Sequence, residues 1–271
     1  MITKVAIHSA PRSGSTWLGN IFNSSPRVKF SYQPLFSYAF KDYLNENSNS
    51  DSIQQFFDLI LKSDDSFINQ QEGIDKKIIP SFIKADQFSH NCYKEVRYHN
   101  LLSNMMLQDS ELRLILLIRN PLAVLYSWRL APREFRSDLG WDFTEEWRFA
   151  AKKNQNNPES FYGYEKWKES TELFLNLKTN HPERVMLVTY DEMISNIEDL
   201  VFDLFKFVNL EVEEQTLNFL SSSKAMNHSD AYSVYKKKSI DNAWKELPSQ
   251  IIDYVFKDLV NTQLDQFLNE K

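Results

Sequence analysis

Residues 10–18 read Ala-Pro-Arg-Ser-Gly-Ser-Thr-Trp-Leu and gather one guanidinium, three hydroxyls and a glycine in a single turn. The stretch follows a short apolar run (Val5, Ala6, Ile7) and leads into Trp17, Leu18, Ile21 and Phe22, which recur at helical spacing. That order predicts a strand, a tight turn and a helix start. The first turn of a helix offers unpaired backbone N–H groups and the positive end of its dipole. Gly14 lets the backbone approach a ligand, Ser13, Ser15 and Thr16 add hydroxyl donors, and Arg12 adds a charged fork. A phosphate or sulfate group suits this combination. A Walker A loop needs Gly, four residues, then Gly-Lys-Ser/Thr; here a single glycine follows the cation. An ordinary βα turn capped by Ser13 or Ser15 is the plainer alternative.

A second stretch repeats the arrangement. Arg113-Leu-Ile-Leu-Leu-Ile118 is an apolar run of the kind buried on both faces of a parallel sheet. It ends in Arg119-Asn120-Pro121, where Asn120 suits a helix N-cap and Pro121 the first helical position. At about 100° per residue, Ser127 returns to the side on which that helix starts, so Arg119 and Ser127 can converge at one end of the sheet. The alternative is a capped helix with a surface arginine.

Together these stretches resemble the two phosphate-binding motifs of sulfotransferases that use 3′-phosphoadenosine 5′-phosphosulfate (PAPS). The Pro-Arg-Ser-Gly-Ser-Thr form of the loop leans toward the carbohydrate-type members. The resemblance implies transfer of a sulfuryl group from PAPS to a hydroxyl acceptor (a glycan, glycolipid or small metabolite), releasing 3′-phosphoadenosine 5′-phosphate (PAP) without a metal. It assigns Arg12, Ser13, Gly14, Ser15, Thr16 and Trp17 to the 5′ end of the nucleotide, and Arg119 and Ser127 to its 3′-phosphate. Tyr190, in Val188-Thr-Tyr-Asp-Glu-Met193, matches a strand-end tyrosine near the nucleotide. Lys236, Lys237 and Lys238, followed by Trp244, resemble a basic loop and tryptophan that close over the phosphates. Arg12, with Lys84 as a helper, would supply cations to the transferring group.

The proton acceptor is where the chain departs from its relatives. Carbohydrate and tyrosylprotein sulfotransferases place a glutamate after the first helix, and Gln33 stands at that position here. Cytosolic sulfotransferases use a histidine on a strand reading Lys-Thr-His; the comparable run Ile83-Lys84-Ala85-Asp86 makes Asp86 the first candidate and His90 the second. Gln33 leaves open a binder of PAP without activity. A nucleotide kinase or related P-loop NTPase is a further alternative, since its fold would be similar.

The surrounding elements must hold these motifs at one edge. Apolar runs at 78–84 and Val185–Thr189 read as further strands. Helical patterns cover Ile53–Leu61, Lys94–Leu107, Phe161–Thr179, Leu200–Val208, Glu213–Leu220 and Leu247–Leu268. Alternation of this kind predicts an α/β, P-loop-like three-layer fold, a central parallel sheet flanked by helices. The chain of 271 residues is expected to form one domain spanning residues 1–271. Residues 131–141 are expected to form an active-site loop, with Arg133, Arg136 and Trp141 near an acceptor. The net charge of −6 argues against a broad nucleic-acid-binding face. No apolar run approaches the roughly 20 residues of a membrane span. The lone cysteine, Cys92, rules out an intrachain disulfide. A cytoplasmic, bacterial protein is the expected setting; the oligomeric state stays open.

Overall fold

The computed structural model describes residues 2–226, 230, 232–235 and 242–268. Its centre is a five-stranded sheet of order β2-β3-β1-β4-β5, built from β1 (Thr3–Ser9), β2 (Val28–Tyr32), β3 (His90–Glu95), β4 (Arg113–Ile118) and β5 (Val185–Thr189). All pairings are parallel, so every strand delivers its following loop to the same edge. The register fixes which loops meet: Ser9 of β1 lies opposite Leu117 of β4, and His8 opposite Glu95 of β3.

Alternate side chains of the strands enter two cores on opposite faces. Ala6, Leu114, Leu116 and Ile118 pack with α2 (Ser50–Lys62), α3 (Leu102–Gln108), α4 (Pro121–Arg129), α5 (Tyr164–Asn180) and α8 (Ser249–Leu259). Val5, Ile7, Ile115, Leu117 and Val188 pack with α1 (Ser15–Asn23), α6 (Ile197–Phe207) and α7 (Glu214–Ala225). This is the expected α/β arrangement of a parallel sheet between helical layers.

Three expectations fail. The run at 78–84 is not a strand. Pro80 interrupts it, Ile79 is buried against Gly73, and Phe82 packs edge-on against Phe219 of α7. The strand beside β1 is instead β3, whose His-Asn-Cys-Tyr-Lys-Glu sequence carries no apolar run yet is buried throughout. The helix expected over Lys94–Leu107 therefore begins only at Leu102, and the one expected to reach Leu268 ends at Leu259.

Helix α1 lies so close to β2 that a Cβ on Gly19 would stand 2.6 Å from Cζ of the buried Phe30 ring. Overpacking of this kind costs about 1–3 kcal/mol, whereas an interior Gly→Ala change favours a helix by about 1 kcal/mol. Gly19→Ala is expected to lower unfolding stability by about 1–2 kcal/mol in urea titrations; a more stable variant would show that the ring yields freely.

Candidate active site

The turn between β1 and α1 is held in a form that few sequences allow. Arg12 and Gly14 both adopt left-handed backbone, with φ of 68° and 95°. For Gly14 the glycine is doubly required: a Cβ there would lie 2.8 Å from the Tyr190 ring. The Gly14 carbonyl accepts from Trp17 N and Leu18 N, which starts α1, while the amides of Ser15 and Thr16 take no backbone partner among the described residues. Ser13 is buried, and its hydroxyl has no partner among the described residues. Ser15, Thr16 and Trp17 line a cleft above the turn, and the Trp17 indole N–H donates to Ser223 of α7.

The end of β4 meets this turn directly. The Arg119 guanidinium donates to the Arg12 carbonyl at 2.8 Å and lies 4.3 Å over the Tyr190 ring. Asn120 caps α4, its side chain accepting from Leu122 N and Ala123 N, with Pro121 at the first helical position. About two turns beyond that cap, Ser127 Oγ accepts from Arg12 Nε at 3.3 Å. Tyr190 opens the short helix after β5, which Thr189 and Glu192 cap reciprocally. Arg12, Arg119, Ser127 and Tyr190 thus converge from three strand ends.

The cleft has a volume of about 760 Å³. Gln33 lines it in left-handed backbone (φ 43°) and donates its N–H to the Lys94 carbonyl. Tyr32 beside it hydrogen-bonds Gln33 and Thr16, and burial pushes its phenol up to about 12.

Three expected residues lie at the opposite edge of the sheet. Lys84 donates to the carbonyls of Asn23, Ser25 and Val28, neutralising the negative end of α1. Burial, and then nearby Lys29, push its pKa down to about 7. Asp86 is exposed in the loop before β3. His90 opens β3, with its ring between Ser89 Oγ and the Val208 carbonyl. None of the three lines the cleft, because the strand assumed over 78–84 is absent. Trp244 is also misplaced by the resemblance: it is buried in the core, 6.1 Å from the Phe256 ring. Lys236, Lys237 and Lys238 lie outside the described residues.

Two groups escaped the sequence reading. Lys94, at the end of β3, is buried beside the cleft with Nζ 4.6 Å over the Tyr32 ring. Burial pushes its pKa down to about 8 despite the neighbouring carboxylates Glu95 and Glu134. Burial pushes Glu95 upward; its carboxylate accepts from Leu35 N. Glu134, in the loop singled out at 131–141, pairs with Arg12 at 3.3 Å. Its second oxygen, Oε2, is buried without a hydrogen bond among the described residues. The signal for Glu134 was its place between Arg133 and Arg136; nothing in a one-dimensional pattern aimed it at Arg12.

A family model for the sulfotransferase domain matches residues 3–255. The chain belongs to the sulfotransferase family. No curated protein matches it by sequence. Among solved structures it is similar to mouse sulfotransferase SULT7A1 complexed with PAP, at 14% identity and TM-score 0.56, covering 98% of this chain and 87% of that one. It is also similar to retinol dehydratase in a complex with retinol and PAP, at 13% identity and TM-score 0.55, covering 96% and 82%. At these identities the likeness is one of fold. The nucleotide-kinase alternative is set aside by the family match.

The lowered Lys94 is directly observable in this sulfotransferase. As pH rises through about 8, one lysine ammonium resonance is expected to titrate, and Lys94→Arg should remove that transition while leaving the one from Lys84. An ammonium at Lys94 that persists to pH 10 would show that the side chain is more hydrated than its burial implies.

Proposed function

We propose that this sulfotransferase carries PAPS with the 5′-phosphosulfate over the turn 12–16 and the 3′-phosphate at Arg119 and Ser127, and sulfates a hydroxyl acceptor that enters beside Gln33. The observation that carries this reading is the convergence of Arg12, Arg119 and Ser127, joined by hydrogen bonds of 2.8 and 3.3 Å. The residues suit a doubly phosphorylated nucleotide in kind. The amides of Ser15 and Thr16 and the Ser13 hydroxyl are uncommitted donors among the described residues, and the guanidiniums match the geometry of phosphate and sulfate. Trp17 and the Tyr190 ring bound the nucleotide site, and Lys94 takes the helper role that the resemblance gave to Lys84.

Sulfuryl transfer forms a bond from the acceptor oxygen to sulfur, breaks the bond from sulfur to the 5′-phosphate oxygen, and releases a proton from the acceptor. The protein's work is to position the partners and to stabilise charge on the transferring group and departing phosphate. Arg12 and Lys94 supply that charge. Gln33 cannot take a proton, and we assign it to orienting the acceptor. Glu134, which lines the cleft and pairs with Arg12 through Oε1, is the carboxylate we assign to receive the proton. We read the chain as one catalytic domain working in the cytoplasm, where the buried free thiol of Cys92 stays reduced.

Transfer of radiolabelled sulfate from PAPS to a panel of sugars and phenols tests the reading. Wild type should sulfate at least one acceptor. Glu134→Gln should lower kcat by about 10²–10⁴-fold and leave PAP binding no weaker, whereas full activity in that variant would remove Glu134 from the role. Thermal stabilisation by PAP should exceed that by ATP–Mg²⁺. Arg119→Ala should cost PAP affinity roughly 10–100-fold, the loss of a charged, bidentate contact; wild-type affinity there would move the 3′-phosphate elsewhere. A protein that binds PAP and sulfates nothing until Gln33→Glu is introduced would make it a binder rather than an enzyme.

A further inference from the structure

With Arg12, Arg119 and Lys94 given to the donor, four cations still line the cleft; Lys76 and Arg133 pair with Glu72, which leaves Arg97 and Lys153. Arg97 follows the end of β3, and Lys153 lies in the short helix Ala151–Asn154; both line the cleft. They converge on one ring, Arg97 Cζ at 5.6 Å and Lys153 Nζ at 4.9 Å from the centre of Tyr162. Arg97 also hydrogen-bonds the Tyr162 phenol and lies 4.3 Å over Phe36. Neither cation forms an ion pair among the described residues. The two nearby carboxylates are committed: Glu134 is paired with Arg12, and Glu95 is fully buried and accepts from Leu35 N.

Holding two like charges together beside aromatic surface costs free energy unless an anion joins them. Burial, and then the neighbouring Arg97, push the Lys153 pKa down against an opposing pull from Glu134. The sheet order shows which ligand could relieve it. Arg119 and Tyr190 follow β4 and β5, on one side of β1, whereas Arg97 and Gln33 follow β3 and β2 on the other. A nucleotide gripped on the first side leaves the second to the acceptor.

We propose that the acceptor of this sulfotransferase is itself an acid: a hydroxyl compound whose anionic group binds between Arg97 and Lys153 and whose apolar or aromatic body lies along Phe36, Phe67 and Val96. The inference rests on the sulfuryl-transfer reading and narrows its substrate class. The two cations are specificity residues, distinct from the groups that hold the donor.

Calorimetric titration of the PAP-saturated protein tests it. The probes are matched pairs: hydroxyphenylpropionate and hydroxydecanoate, each against its neutral amide, and a hydroxyalkyl phosphate against the corresponding diol. Each acid should bind at least roughly tenfold more tightly than its neutral partner, as a charge-assisted contact requires; the phosphate arm tells whether the site prefers a carboxylate or a phosphate ester. The double variant Arg97→Gln/Lys153→Gln should lose the preference while keeping wild-type PAP affinity and melting temperature, and Arg97→Lys should retain most of it. Equal binding of acid and amide, or a preference that survives the double variant, would overturn the proposal. Weakened PAP binding in the double variant would also overturn it, by giving both cations to the donor. If wild type fails to bind PAP at all, the donor reading itself falls, a result distinguishable from all of these.

Discussion

The hydrogen bond from the Arg119 guanidinium to the Arg12 carbonyl is the interaction on which the site depends. It joins the ends of two adjacent strands, and it exists because β1 and β4 pair in a register that sets Ser9 opposite Leu117. Tyr190 completes the joint. Its ring lies under Arg119 and against Gly14, so a third strand end is locked to the first two. Left-handed backbone at a non-glycine residue such as Arg12 is unfavourable and survives only where surrounding contacts over-determine it. Here those contacts are the Arg119 bond on its carbonyl, and Ser127 and Glu134 on its side chain. The turn is thereby set before any anion arrives, which is what electrostatic stabilisation requires.

The same economy of position explains the polar strand next to β1. Each polar residue of β3 is buried with a purpose: His90 on the Val208 carbonyl, Asn91 on the Phe57 carbonyl, Lys94 against the cleft, and Glu95 on Leu35 N. Buried polar groups are tolerated when partnered and costly otherwise. In the proposed reading the strand is the platform of the acceptor side, with Lys94 at its end and Arg97 just beyond it. Cations therefore outnumber carboxylates in the cleft lining, in a protein whose net charge is −6.

Sequence patterns carry this fold unevenly. β4 and β5 were legible because their residues are apolar without interruption or nearly so, and the turns after β1 and β4 were legible because turn and helix start follow one another in the chain. Asn120 and Pro121 cap and open α4 as their types require. β3 was illegible for the opposite reason: its polar side chains are buried against groups far away in sequence, such as Val208, Phe57 and Leu35, so no period of two and no apolar run marks it. The error spread from there. With a strand wrongly given to 78–84, Lys84, Asp86 and His90 were aimed at a site from which they are separated by the length of α1. Glu134 and Lys94 share a further difficulty. Each is defined by what it faces across the cleft, and a contact between residues 12 and 134 leaves no local trace in the chain.

In the proposed function the turn after β1 and the end of β4 hold opposite ends of a single nucleotide. A crystal structure of the protein with PAP measures it directly. The 5′-phosphate is expected on the amides of residues 14–16 and the 3′-phosphate within hydrogen-bond distance of both Arg119 and Ser127. PAP bound with its 3′-phosphate facing Arg97 and Lys153, or with no contact to Arg119, would contradict it.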